Sequence, residues 1–248
     1  MRTIYVHKVG RRLFSENVFT AAIGFSEIGF NVQEHEVNSE LYDLLKQNKS
    51  AVFVGGINAV RSVFNELGVS QPVIDNPHIH LPSFLGRDMF EISFSDVEQY
   101  ASLENSFPFF IKPLEEHKLF TGYVVKNKHD LFHAKNRVNP ETKILMSEVV
   151  NFVSEHRCFV HKGKLIGCKN YTGDFKLIPD FNVVESAISQ YENQPIGYSI
   201  DFGVTKEGKT LLIEMNDGFG LSAYGLNKIL YCQILLDRWD EILKNNKL

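Results

Sequence analysis

The chain has 248 residues, 44% of them apolar and 12% aromatic, enough to pack a core in one or two domains. A formal net charge of −4 and a pI near 6.1 argue against bulk electrostatic attraction to nucleic acid or to an anionic membrane. MRTIYVHKVG at the start carries no apolar leader, and no apolar run approaches the roughly 20 residues of a membrane span, so a cytoplasmic chain with a small-molecule partner is expected.

In chain order, TIYVHK (3–8) reads as a strand, 15–29 as a helix, VQEHEV (32–37) as a strand and 40–47 as a helix. AVFVGG (51–56) reads as a strand running into a glycine turn, and INAVRSVFNELG as an amphipathic helix closed by Gly68. This βαβαβα order predicts a small parallel α/β domain. The Pro-, Asn- and Asp-rich run PVIDNPHIHLPSFLGRD (72–88) predicts a boundary, giving domains at 1–90 and 91–248. From 107 the pattern becomes strands separated by short turns: FPFFIKP, FTGYVV, KILMSEVV, HRCFV, KLIGC, GYSIDFGV and TLLIEMN. Helices fit at 128–137, 182–192 and 224–244, so the second part reads as α+β with antiparallel hairpins.

The last two strands pose a chemical question, because Glu214 and Asn216 interrupt an apolar run at alternate positions. A four-residue turn centred between Glu207 and Gly208 pairs residues whose numbers sum to 415. Asp201 then faces Glu214 and Ser199 faces Asn216, while Ile200, Phe202 and Val204 meet Met215, Ile213 and Leu211 on a wholly apolar face. Two carboxylates and an amide gathered within about 5–7 Å suit a hard divalent cation, with magnesium the natural occupant. An ordinary solvent-facing hairpin gives the same pattern, and periodicity alone does not separate the two.

Four stretches decide which comparison to draw: FPFFIKP (107–113), LMSEVVNF (145–152), EHRCFVHKGKLIG (155–167) and SIDFGVTKEGKTLLIEMNDGFG (199–220). In order and spacing they resemble the ATP-grasp fold, and within it the RimK-related clade of short ATP-grasp proteins, across residues 100–235. The resemblance implies an ATP-grasp fold preceded by a small N-terminal α/β domain, and a carboxylate–amine ligase that uses ATP and magnesium, two ions in number. In such an enzyme ATP phosphorylates a carboxylate, an amine (of an amino acid, peptide or protein) attacks the acyl phosphate, and an amide, ADP and phosphate result. By position, Lys112 and Lys118 would reach the nucleotide phosphates, Ser147, Glu148 and Val149 would read the adenine edge, and Glu155 would accept from the ribose hydroxyls. Arg157 would face the transferred phosphoryl group, and Asp201, Glu214 and Asn216 would hold the magnesium ions.

Two features depart from the family pattern. The glycine-rich grasp loop is reduced to LEEHKLFTG, leaving Lys118, Thr121 and Gly122 to cover the phosphates. Tyr171 replaces the basic residue of RimK-like ligases, with Lys169 two positions earlier as the substitute. Three other readings stay open: phosphate transfer to a non-carboxylate acceptor, an ATP sensor without turnover, which these two features suggest, and a ligase that tags a protein. Elsewhere, Gly55–Gly56 lacks a phosphate-loop consensus and reads as a tight turn, with an anion at the following helix N-terminus as the sharper option. His129 and His133 have metal-pair spacing without an acidic partner, and His78 and His80 lie in the boundary run. Cys158, Cys168 and Cys232 are odd in number with no CxxC spacing, so reduced, mostly buried thiols are expected rather than a disulfide framework or zinc knuckle.

Overall fold

A computed structural model describes residues 1–71, 77–114 and 119–247. In chain order the elements are β1 (Thr3–Val9), β2 (Arg12–Leu13), α1 (Glu16–Glu27), β3 (Asn31–His35), α2 (Ser39–Gln47), β4 (Val52–Val54), α3 (Ile57–Glu66), α4 (Pro77–His80), β5 (Met89–Ser93), α5 (Phe94–Tyr100), β6 (Phe109–Pro113) and β7 (Tyr123–Val125). There follow α6 (Phe132–Lys135), β8 (Lys143–Ser147), β9 (Phe152–His161), β10 (Lys164–Gly173), α7 (Phe181–Gln190), β11 (Gly197–Thr205), β12 (Thr210–Asp217) and α8 (Lys228–Asn245). They group into two compact units, residues 1–84 with 152–248, and residues 85–151. None of the described helices is long and apolar enough to cross a membrane.

In the larger unit, β1 lies between β3 and β4, parallel to both, and the short β2 folds back on its end. Ile4, Tyr5 and Val6 are all buried, as a strand covered on both faces requires. The predicted βαβαβα order is therefore present. Ser15 and Asn38 accept from Val18 N and Leu41 N to start α1 and α2, and Gly68 adopts φ +69° just beyond α3. The unit's second sheet is antiparallel, in the order β10-β9-β11-β12. α8 joins the two sheets in one core: Trp239 stacks on Phe64 of α3 at 4.9 Å, among Phe25, Phe159, Ile234 and Ile242. Gly218 is needed where β12 meets β11, since a Cβ there would lie 2.3 Å from the Gly197 carbonyl oxygen.

The β11–β12 hairpin corrects the predicted turn. Gly208 N donates to Thr205 O and Thr205 N to Lys209 O, so the loop is the three residues Lys206–Gly208, with Gly208 at φ +81°. Val204 pairs with Thr210 and Phe202 with Leu212, not with Leu211 and Ile213 as expected. A β-bulge at Ile213 then adds one residue to β12, and the expected pairs Asp201–Glu214 and Ser199–Asn216 are restored. Shorter loop and bulge cancel at the polar positions, while on the apolar side Leu212, fully buried, takes the core place.

The smaller unit is the antiparallel sheet β5-β8-β6-β7 with α5 and α6. Its core gathers Phe94, Val97, Phe109, Ile111, Val125, Ile144 and Met146. β5 and α5 fall just after the predicted boundary run and went unread, although Ser93 and Asp96 close a capping box there. The predicted helix 128–137 is instead a 3₁₀ turn at Lys128–Leu131 leading into the single turn of α6. Asp130, accepting from the amides of Lys126 and Asn127, holds that turn together.

Candidate functional site

The four-stranded sheet of the larger unit sets charged residues in register. Lys169 of β10 is opposite Arg157 of β9, Arg157 is opposite Asp201 of β11, and Asp201 is opposite Glu214 of β12. The next row on the same face is Gly167, Phe159, Ser199 and Asn216. Two cations and two carboxylates thus form one line across four strands, flanked by a hydroxyl and an amide.

Asp201 is fully buried and receives a two-point contact from Arg157: Nε donates to Oδ1 at 3.0 Å and Nη2 to Oδ2 at 2.7 Å. Arg157 Nη2 also lies 3.7 Å from Glu214 Oε1, which accepts from Asn216 Nδ2 at 3.0 Å. The cation that relieves the repulsion between Asp201 and Glu214 is therefore the Arg157 guanidinium. Burial works against its charge, and the bonds to Asp201, with the charges of Asp201 and Glu214, more than offset that, so Arg157 is held above its ordinary range. Glu214 keeps about a third of its side chain exposed, 34% against 1% for Asp201, so the row opens at the β12 end.

Two tyrosines complete the surroundings: Tyr171, which stands where the family pattern has a basic residue, and Tyr224, which the sequence does not single out. The Tyr224 ring lies under the Arg157 guanidinium at 4.9 Å and stacks on Tyr171 at 5.4 Å. The Tyr171 hydroxyl donates to Glu155 Oε2 at 2.8 Å. Burial first, then the Asp201 charge and Glu155, push the Tyr171 phenol far up, so it stays a donor. Glu155 consequently engages Tyr171, and the partner of Arg157 is Asp201 rather than Glu155. Tyr224 sits at φ +44°, a conformation that costs a non-glycine residue about 1–3 kcal/mol and draws attention to the segment. Nothing in SAYGLN signals that role in the sequence; the strained backbone is its only mark.

The other predicted residues lie in the smaller unit. Lys112 of β6 pairs in register with Leu145 of β8, and a Cβ on Gly122 would come within 3.0 Å of the Lys112 Cβ, so glycine lets that segment approach. Ser147, buried, ends β8 opposite Phe110 and Met89, and its hydroxyl donates to Glu148 O at 3.0 Å. The Glu148 carboxylate accepts from Asp88 N at 3.1 Å, and Val149 follows the strand end half-buried. Lys118 lies outside the described residues. His129 and His133 are exposed, and among the described residues no three His, Cys, Asp or Glu side chains form a metal-holding group. His80 packs its ring on Tyr191 at 5.1 Å.

Residues 84–234, well over half of the chain, match the sequence model of the ATP-grasp domain, R2K clade family 2. The chain belongs to this family. This ATP-grasp chain is also similar in structure to D-alanine–D-alanine ligase from Bacillus anthracis, at 15% identity and a TM-score of 0.60, over 99% of this chain and 98% of that one. A RimK domain ATP-grasp protein from Sphaerobacter thermophilus DSM 20745 is similar at 13% identity and a TM-score of 0.55, over 96% and 99% of the two chains. The macrocyclase MdnC bound with precursor peptide MdnA, from Microcystis aeruginosa MRC, is similar at 11% identity and a TM-score of 0.54, over 95% and 99%. At these identities the likeness is one of fold. No curated protein matches the chain. The ATP-grasp resemblance read from the four motifs, with its α+β fold, therefore holds.

Proposed function

We propose that this ATP-grasp chain is an ATP- and magnesium-dependent carboxylate–amine ligase. The terminal phosphoryl group of ATP passes to a carboxylate oxygen, an amine attacks the acyl carbon, and the carbon–oxygen bond to phosphate breaks, leaving an amide, ADP and phosphate. The observation that carries this reading is the row Lys169–Arg157–Asp201–Glu214 with Asn216 beside it. Phosphoryl transfer asks a protein for charge neutralisation and alignment more than for a covalent partner, and such a row supplies charges of both signs on one face.

Asp201, Glu214 and Asn216 suit magnesium by the chemistry of their donors, two carboxylates and an amide oxygen on adjacent strands, and these three residues would hold it. Magnesium bound there would supply charge neutralisation to the phosphate oxygens. The Arg157 guanidinium, held in place by Asp201 through Nε and Nη2, would lend its charge to the moving phosphoryl group, and Lys169 a point charge beside it. On the smaller unit, Lys112 and Lys118 would reach the phosphates and Ser147, Glu148 and Val149 the adenine; Glu155 would hold the ribose after releasing Tyr171. The division into an N-terminal domain at 1–90 and a grasp module at 91–248, and the cytoplasmic location, belong to the same proposal. The macrocyclase neighbour, bound with a precursor peptide, favours peptides among the amine acceptors.

A second reading, an ATP sensor without turnover, draws on the Tyr171–Glu155 bond, which occupies the proposed ribose acceptor. A screen for ADP release with magnesium, ATP and mixtures of amino acids and short peptides decides between them. Ligation predicts ADP release that depends on both a carboxylate and an amine, with an amide product in the mass spectrum. ATP binding with no ADP from any mixture would leave the sensor reading in its place.

A further inference from the structure

The reverse face of the sheet holds a feature that the ligase reading does not use. One position from the charged row, with side chains on the opposite face, Cys168 of β10 lies directly opposite Cys158 of β9, with Ile200 and Met215 continuing the row. The two Sγ atoms are 3.5 Å apart, with Cys158 donating to Cys168. Both cysteines are free thiols. Because successive residues of a strand face opposite ways, the thiols sit back to back with their chain neighbours Arg157 and Lys169.

We propose that Cys158 and Cys168 form a redox-active dithiol, a modification site at which a peroxide builds a disulfide between β9 and β10. Directly opposed residues of antiparallel strands have Cα atoms about 4.5–5.5 Å apart, inside the 4.4–6.8 Å range that disulfides occupy. Closing 3.5 Å to a bond length therefore requires side-chain rotation more than strand movement. β10 has a register shift on each side of Cys168, between Leu165 and Gly167 and between Asn170 and Thr172, which leaves this stretch of ladder freer to adjust. Accessibility separates the two thiols: Cys158 is fully buried, while Cys168 is partly exposed and can meet a small oxidant. The hydrogen bond from Cys158, with help from Lys169, lowers the Cys168 thiol, and that same bond with burial raises Cys158, so the reachable sulfur is also the more nucleophilic. Cys232 provides an internal control, since it is buried in α8 and donates to Ala21 O at 3.4 Å, with no cysteine beside it.

The chemistry balances with hydrogen peroxide as the two-electron oxidant. Cys168 releases its proton to solvent, its sulfur attacks one peroxide oxygen, the O–O bond breaks, and the hydroxide that leaves takes up a proton to give water. The resulting sulfenic acid is attacked by the Cys158 sulfur; the S–O bond breaks, and the departing hydroxide takes the Cys158 proton as a second water. Two thiols are oxidised to a disulfide and one peroxide is reduced to two waters. The bond ties together the strand pair carrying Arg157 and Lys169 where the register is least regular.

Peptide mapping of the native, full-length chain after hydrogen peroxide, without nucleotide, tests this whatever becomes of the ligase reading. Remaining thiols are alkylated, trypsin cuts at Lys162 and Lys164 between the two cysteines, and circular dichroism on the same sample confirms that the chain is folded. Wild type and Cys232→Ser should each lose two hydrogens and yield a Cys158–Cys168 linked peptide pair that dithiothreitol separates. Alkylatable thiols in wild type should fall from three to one. Cys158→Ser should instead accumulate a dimedone-reactive sulfenic acid at Cys168. Folded wild type whose Cys158 and Cys168 remain unlinked, or in which Cys232 is oxidised as readily as Cys168, would overturn the proposal.

Discussion

Two buried arginine–aspartate pairs lie in the same unit, and their differences separate a support of the fold from a candidate site. Arg238 of α8 grips Asp217 at the end of β12 through Nε to Oδ1 at 2.7 Å and Nη2 to Oδ2 at 2.6 Å, with the side chains only 5% and 8% exposed. That pair is closed on all sides: Asp217 also accepts from Phe219 N, Arg238 donates to Glu241, and Glu241 accepts from Ile196 N. Arg157 grips Asp201 by the same two-point geometry, yet its outer neighbours are the partly exposed Glu214 and the half-exposed ring of Tyr224. Similar chemistry three positions along β12 from Glu214 thus locks α8 to the sheet in one case and ends at an accessible edge in the other. A buried ion pair is weak evidence of stabilisation on its own account, but removing one partner leaves an uncompensated charge.

The strongest way to break this comparison is Arg238→Ala. It should destabilise the chain by about 3–5 kcal/mol, read as a lower midpoint in thermal or urea unfolding, while the ATP affinity of the folded fraction stays within twofold. Arg157→Lys should do the reverse. The charge is kept but the two-point fork is lost, so turnover in the ADP-release assay should fall on the order of a hundredfold with ATP affinity far less affected. If Arg157→Lys lowers the unfolding midpoint as far as Arg238→Ala and leaves turnover of the folded fraction intact, the two pairs are equivalent and the distinction fails.

Tyr171→Phe sharpens the open pair. Removing one hydroxyl that donates to Glu155 should cost about 1 kcal/mol in unfolding experiments and, by freeing Glu155, raise ATP affinity a few-fold. A loss of affinity would mean that the hydroxyl itself contacts the nucleotide. The smallest effect belongs to a buried group in no pair. His7, stacked on Phe14 at 4.6 Å and 8% exposed, is held below its ordinary pKa of 6.5 by burial. The unfolded chain therefore takes up a proton more readily than the folded one, so stability is retained above about 6.5 and lost as pH falls from there toward the folded-state value. His7→Phe should flatten this part of the pH–stability curve, measured as the shift in urea midpoint.

The hairpin shows how far sequence reached. An assumed four-residue turn, read together with the alternation of polar and apolar residues, sets Asp201 opposite Glu214 and Ser199 opposite Asn216, and both pairs are present. The three-residue loop and the bulge at Ile213 were illegible, because a bulge leaves no residue-type signature and the two shifts cancel where the polar residues lie. The partner of Arg157 was also beyond local pattern: Asp201 lies 44 positions away and meets it only through β9–β11 pairing. The smaller unit was harder still, because β5 and α5 fall between the Pro- and Asn-rich boundary run and FPFFIKP, where the sequence reading assigns no element, despite the Ser93–Asp96 cap. The cysteine pair escaped for the reason that hid the Arg157 partner, since Cys158 and Cys168 are ten positions apart with no motif and meet only across a hairpin.

The most direct test of the central claim, that the open end of the charged row holds magnesium and ATP, is a calorimetric titration of ATP into wild type and Glu214→Ala, Asn216→Ala, each with and without magnesium. The account predicts magnesium-dependent ATP binding by wild type that is lost in the folded double variant. Wild type that binds no ATP in the presence of magnesium, or a double variant that binds it as tightly as wild type, would contradict it.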